Sequence, residues 1–197
     1  MKKIFTLLAL TIGFSMNAQM DDNSANNNSA GAYAVAMGYQ TSASGAYAVA
    51  MGYQTSASGN FSTAMGAFST ASGSISRAMG DQTTASGSYS TTIGSGTTAS
   101  DYASLVIGQY NSSGSSVTNN ATSFNTANTA FVIGNGTNSS NKSDAFKVMF
   151  NGDTTVSNDL TVSGDVVISS DARLKSNIVS LGSTLPKLLQ IDGKSYE

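Results

Sequence analysis

Cysteine, histidine and tryptophan are absent from this 197-residue chain, and proline occurs once. Without Cys or His the usual zinc, haem and iron–sulfur sites are excluded, and no cofactor is expected. Disulfide stapling is excluded too, as is an acylated lipoprotein cysteine near the N-terminus. Charge is sparse: the formal net charge is −2, and between Asn23 and Asn141 only Arg77, Asp81 and Asp101 are charged. No basic stripe is available to neutralise phosphates, so nucleic acid is not an expected partner. Nor does any acid/base cluster recur, so a conventional enzyme is not expected. Long apolar runs are also missing. The stretch 4–14 is too short to cross a bilayer. With Lys2 and Lys3 before it and Ser15-Met16-Asn17-Ala18 after it, residues 1–18 read as a secretory signal. Residues 19–30 follow as a flexible leader, and the mature chain is expected to be exported, with no transmembrane segment.

What the chain does have is Gly, Ser, Thr, Asn and Ala, a mixture that by itself describes disorder. A fourteen-residue unit argues otherwise. It reads GAYAVAMGYQTSAS at 31–44 and again at 45–58, then GNFSTAMGAFSTAS, GSISRAMGDQTTAS, GSYSTTIGSGTTAS and DYASLVIGQYNSSG up to residue 114. A twelve-residue polar insertion (115–126) precedes a last copy, ANTAFVIGNGTNSS (127–140). A unit this short holds no helix pair and no propeller blade. It fits one coil of a β-solenoid, with two short strands and two turns.

Within the unit, position 8 is always Gly: Gly38, Gly52, Gly66, Gly80, Gly94, Gly108 and Gly134. Position 1 is also Gly in the first five copies. Two glycines half a coil apart predict two tight turns. Position 7 is always Met or Ile: Met37, Met51, Met65, Met79, Ile93, Ile107 and Ile133. Positions 6 and 13 are small, which predicts a thin roll filled from those two rows, with position 7 pointing outward. Such a roll buries little. At ~25 cal/mol/Å² an alanine contributes about 1 kcal/mol at most. Fixing one residue's backbone costs roughly as much or more. The outward Met/Ile stripe would be an exposed apolar patch, so an obligate homo-oligomer is expected.

The phrase Ala34-Val35-Ala36-Met37-Gly38 and its later forms Thr92-Ile93-Gly94 and Leu105-Val106-Ile107-Gly108 resemble the S-V-A-I-G repeat of the YadA-like head in trimeric autotransporter adhesins. The resemblance covers residues 31–140. It departs in placing Met where Ile is usual in the first four units. It implies an all-β, left-handed parallel β-roll, a homotrimer with Met37 through Ile133 at its interface, and a secreted head displayed at the cell surface or outer membrane. The partners it implies are the chain itself and a host, matrix or other cell-surface ligand. An ice- or mineral-binding solenoid is a lesser alternative, because Thr41, Thr55, Thr83 and Thr97 recur at position 11, interrupted by Ser69.

Composition shifts after Asn141. Thirteen charged residues fall in the last 56 positions, against three in the 119 before, which marks a different module. Residues 145–150, 154–156 and 160–162 predict short strands of a β-rich neck spanning 141–168. Ser170 or Asp171 then suits the N-cap of a helix running to Gly182. The string Ser170-Asp171-Ala172-Arg173-Leu174-Lys175-Ser176-Asn177-Ile178 resembles the S-D-x-R-L-K-x-N-I opening of the intramolecular chaperone autoprocessing domain of phage tail spikes and endosialidases. That resemblance implies self-cleavage at the Ser169–Ser170 bond, with Ser170 as nucleophile and Lys175 as its base. Residues 169–197 are too few for such a domain, so a truncated chaperone is expected. A phage tail-fibre component is the alternative this end favours, and the signal segment counts against it.

Overall fold

In the computed structural model residues 27–165 are described. The signal segment, most of the leader, and the 166–197 stretch with Ser169, Ser170, Lys175 and the expected helix lie outside them. Among the described residues every regular element is a strand. Each of the first five coils contributes a five-residue strand and a two-residue strand. The long ones are β1 (Val35–Tyr39), β3 (Val49–Tyr53), β5 (Thr63–Ala67), β7 (Arg77–Asp81) and β9 (Thr91–Ser95). The short ones are β2 (Ser42–Ala43), β4 (Ser56–Ala57), β6 (Thr70–Ala71), β8 (Thr84–Ala85) and β10 (Thr98–Ala99). Then come β11 (Leu105–Gln109), β12 (Thr129–Asn135), β13 (Asp144–Met149) and β14 (Thr154–Val156). Long strands stack in the order β1-β3-β5-β7-β9-β11-β12-β13-β14, and short strands form a second, five-stranded sheet. This is a parallel β-solenoid.

Register follows the repeat. Val35 pairs with Val49, Met37 with Met51 and Gly38 with Gly52, and the same offset holds to β11. Between β11 and β12 the insertion is absorbed without a slip, since Gly108 still faces Gly134 and Ile107 faces Ile133. A slipped register would move the apolar set to the wrong face.

The position-1 glycines open a turn, as Gly31 O accepts the Ala34 amide (3.1 Å) and Gly45 O the Ala48 amide (3.2 Å), but the position-8 glycines do not. Position 8 lies inside the long strand, at φ of +124° in Gly38 and +125° in Gly52. A Cβ on Gly38 would sit 2.0 Å from the carbonyl oxygen of Gly52, one rung away. Here Gly allows close approach of backbones. The corners fall two residues later in the unit, at positions 3 and 10, on residues with side chains: Tyr33 (φ 57°), Tyr47 (φ 57°) and Phe61 (φ 57°), and Gln40 (φ 54°), Gln54 (φ 51°) and Phe68 (φ 52°). The left-handed region costs an L-residue roughly 1–2 kcal/mol. Contacts between rungs hold it: the Tyr47 amide donates to Ala32 O (2.7 Å) and the Gln54 amide to Tyr39 O (2.8 Å). Face-to-face stacking adds to this, with ring centroids 5.0 Å apart for Tyr33–Tyr47 and 4.9 Å for Tyr47–Phe61.

The interior holds four rows, two more than the sequence predicts. Positions 6 and 13 are buried, as in Ala50, Ala64, Ala57 and Ala71. Positions 4 and 11 join them, as in Ala48, Ser62, Ser76 and Ser90, and Thr41, Thr55, Ser69, Thr83 and Thr97. The recurrent threonines therefore face inward at 0–1 % exposure, which removes the basis for an ice- or mineral-binding face. Some of these hydroxyls pair across rungs, such as Thr83 Oγ1 to Ser69 Oγ at 2.8 Å. Those of Thr55, Ser62, Ser76 and Ser90 have no partner, so part of the core adds polar burial without a compensating bond.

Two asparagines close the position-11 row. At one end Asn27 Oδ1 accepts the Thr41 amide (3.0 Å) while its Nδ2 donates to Gly38 O (2.7 Å). At the other, Asn111 Oδ1 accepts the Thr98 amide (2.8 Å) and its Nδ2 donates to Thr98 O (3.0 Å). Each side-chain amide stands in for a peptide of the missing rung. The end of the leader is thus already part of the roll, with Asn28 bridged to Ser42.

The neck is not separate from the head. β12 pairs antiparallel with β13, and β13 with β14, so a hairpin continues the long sheet and covers its last rung. Residues 160–162, expected as a strand, are not one. The compact unit that holds the roll and the hairpin extends to Asp159.

Candidate functional site

The outer face of the long sheet carries positions 5, 7 and 9. Strand alternation decides this, because position 6 fills the core and its neighbours must point away. Row 7 runs Met37, Met51, Met65, Met79, Ile93, Ile107 and Ile133, each in register with the next. It is partly open to solvent, reaching 38 % exposure at Met65 and 42 % at Ile93. The flanking rows begin apolar with Val35, Val49, Tyr39 and Tyr53; the position-9 row becomes polar along the roll, while the position-5 row passes through Thr63, Arg77 and Thr91 and returns to Leu105 and Phe131. Arg77 and Asp81 are the only charged residues within the seven parallel long strands, and they flank Met79 on either side. The structure therefore brings all seven seam residues into one line. The seven position-8 glycines form a second line in the same rungs.

Aromatic ladders at the corners had a signal in the sequence, the Tyr/Phe at positions 3 and 9, which the turn argument passed over. Tyr33, Tyr47 and Phe61 stack on one corner, and Tyr33 is 80 % exposed at the end of that row. Near the other corner Tyr39 stacks on Tyr53 at 5.2 Å, and Phe68 meets Tyr53 edge-on.

The insertion is fastened to the roll instead of being thrown out from it, and the residue responsible is Asp101. It occupies position 1, where the preceding copies have Gly. Those glycines are compelled: a Cβ on Gly45 would lie 2.0 Å from Gly59 O, and one on Gly87 2.1 Å from Asp101 O. Asp101 is the last of that row, and the chain leaves for the insertion before another coil is laid on it. Its carboxylate is fully buried and accepts the amides of Thr118 (2.6 Å), within the insertion, and Thr129 (2.7 Å), just after it. Asn120 and Asn128 add a second tie, with the Asn120 amide donating to Asn128 Oδ1 at 2.9 Å. Replacing Asp101 by Ala leaves two amides without their acceptor, so a loss of roughly 2–4 kcal/mol is expected. Limited proteolysis should then cut within 115–126, whereas the same segment of the unaltered chain is expected to resist cleavage. Unchanged melting and unchanged resistance would contradict the fastening role.

The chain is thus a parallel β-solenoid with an unbroken apolar seam along its outer face. The model of the YadA head domain repeat, a two-copy unit, matches residues 29–55, 43–69, 57–76 and 71–97. Successive matches begin fourteen residues apart, each spanning neighbouring coils, so residues 29–97 carry YadA head repeats. They make up about a third of the chain. No significant match was found among curated proteins or among solved structures.

Proposed function

We propose that this chain forms the head of a secreted, cell-surface adhesive fibre, in which three copies associate through the Met37-to-Ile133 seam. The observation that carries the reading is that seam: seven apolar side chains in register, outward-facing and partly exposed, on coils that include the matched YadA head repeats. A core of alanine, serine and threonine adds little hydrophobic stabilisation, so covering the seam supplies what the single roll lacks. Adhesion then follows from multivalency. Repeated shallow surfaces on three copies raise weak contacts to useful avidity.

Beads coated with the chain are expected to adhere to cells or extracellular matrix. Beads carrying the same mass of a seam variant such as Ile93→Lys should adhere at least tenfold less. Equal adhesion by the two would overturn the reading. The resemblance at residues 170–178 supports a separate proposal, single-turnover cleavage where the chaperone domain is complete. Lys175 would take the Ser170 proton and Ser170 Oγ would attack the Ser169 carbonyl; the Ser169–Ser170 C–N bond would break as the Ser170 amine takes that proton, and water would then hydrolyse the resulting ester. Mass spectrometry of a longer chain that carries the complete domain would then show a cut at that bond which Ser170→Ala abolishes; an intact mass in both contradicts it.

A further inference from the structure

Sparse charge makes the placement of each charged side chain informative. Residues 27–165 contain three cationic side chains, Arg77, Lys142 and Lys147. Two of the three line one pocket of about 430 Å³, formed where the hairpin meets the last coils. Its walls come from three separate stretches: Ser112 and Ser113 after β11, Asn135 at the end of β12, and the hairpin, from Lys142 and Ser143 just before β13 through β14 to Asn158. Neither lysine ammonium has an ion-pair or hydrogen-bond partner among the described residues.

The walls are braced before any ligand arrives. Asp144 is the one acid in the lining, and its carboxylate is taken up internally. It accepts the Ser112 amide (2.8 Å), the Ser112 hydroxyl (2.8 Å) and the Ser113 amide (2.7 Å). Ser143 Oγ donates to Asn135 Oδ1 at 2.7 Å, and Ser157 Oγ donates to the Asp144 carbonyl. Asp144 thus acts as a strut between the hairpin and the coil, and two lysines against one acid leave the lining with a positive excess.

We propose that this pocket binds a saccharide unit bearing an anionic group, a carboxylate or a sulfate. The inference deepens the adhesive reading, on which its biological meaning rests, by naming the class of ligand. Its volume is many times the roughly 30 Å³ share of one water molecule, more room than a bare tetrahedral anion fills. It lies in the range of small-molecule sites, about 300–1,000 Å³. No apolar or aromatic side chain lines it, which disfavours a lipid or a flat aromatic ligand. Hydroxyl and amide groups of Ser113, Asn135, Thr155 and Asn158 offer donors and acceptors to a polyol, while the two ammonium groups meet its charge.

The test titrates the full chain, by calorimetry and by amide shifts in NMR, with four probes: a sulfated heparin disaccharide, glucuronate, neutral lactose and a glutamate tetrapeptide. Binding of the sulfated or the carboxylated sugar is expected with Kd on the order of 0.1–1 mM, with shifts centred on Ser113, Asn135 and Lys147. Both sugars carry a carboxylate, so binding of the heparin disaccharide without binding of glucuronate assigns the sulfate, and binding of glucuronate assigns the carboxylate. Lactose should bind at least tenfold more weakly. The double variant Lys142→Gln/Lys147→Gln should lose at least tenfold in affinity while melting as the parent does, and Lys147→Arg should retain most of it. No binding by either anionic sugar at 10 mM, equal binding of lactose, binding of the peptide alone, or unchanged affinity in the double variant would each overturn the proposal. Failure here with seam-dependent adhesion intact removes the ligand assignment alone. Loss of adhesion in the parent chain would instead remove the reading beneath it.

Discussion

Replacing Gly52 by alanine is expected to abolish the folded roll. The added Cβ would lie 2.0 Å from Gly66 O, a backbone atom that cannot swing aside, and the residue sits at φ +125°. Both effects act at one position, and a loss above about 4 kcal/mol is expected. That is comparable with the whole stability of many domains, which runs about 5–15 kcal/mol. Two comparisons separate the causes. Gly45→Ala meets the same 2.0 Å approach, to Gly59 O, without a positive φ, and should still be severe. Gly152 in the hairpin has φ +94° but nothing within 4 Å of a new Cβ, so alanine there should cost only about 1–2 kcal/mol. Circular dichroism and thermal melting of the three variants provide the check. A Gly52→Ala protein that melts within a few degrees of Gly152→Ala would show that the rungs are not stacked this closely.

The second large effect is expected at the seam. Met51 lies one rung from Met37 and one from Met65, on the outward face. A lysine there is harmless on a solvated surface and ruinous in a threefold interface, where three unpaired charges would meet. Removing the partner of a buried charge costs roughly 3–5 kcal/mol, and an unpaired lysine in each of three copies should exceed that. Met51→Lys is therefore expected to give monomers that have lost most of their strand signal. Ser72→Lys, an exposed position on the short-sheet side, should leave assembly and melting unchanged. Chemistry offers an independent arm. Peroxide converts a thioether to a polar sulfoxide, the sulfur gaining one oxygen as water leaves. Oxidation should loosen the four Met rungs, and a variant with Ile at positions 37, 51, 65 and 79 should be indifferent to it. Assembly that survives both Met51→Lys and oxidation would exclude the seam as interface.

Much of this architecture was legible in the repeat. The fourteen-residue offset gives every rung pairing from β1 to β11, and the single insertion explains the one larger step to β12. The outward seam was legible too, because side chains alternate and position 6 is always compact. What the glycines do was not. A Gly that permits a left-handed corner and a Gly that permits close backbone approach look identical in a sequence, and here position 8 serves the second purpose. The corners fall instead on Tyr33, Tyr47, Gln40 and Gln54, against backbone preference, because stacking and rung-to-rung bonds outweigh it. The threonines of position 11 misled for a similar reason. A recurrent polar row suits a solvated face or an interior with room for hydroxyls, and only the fold decides between them.

Departures from the repeat proved the most instructive. Asp101 looks like decay of the pattern, yet it stands where no further coil covers position 1, and it uses the freed space to fasten the insertion. Asn27 and Asn111 likewise break the Thr/Ser row at its two ends, where a rung is missing and an amide can replace it. The pocket around Lys142 and Lys147 was out of reach of sequence reasoning, because its walls come from stretches joined only by the hairpin's return onto the last coils.

Sedimentation equilibrium of the purified chain at micromolar concentration tests most directly whether the roll relies on its neighbours. The account predicts a single species of three times the chain mass that loses strand structure as dilution separates it. A folded monomer, with row 7 left open to water and melting independently of concentration, would contradict it.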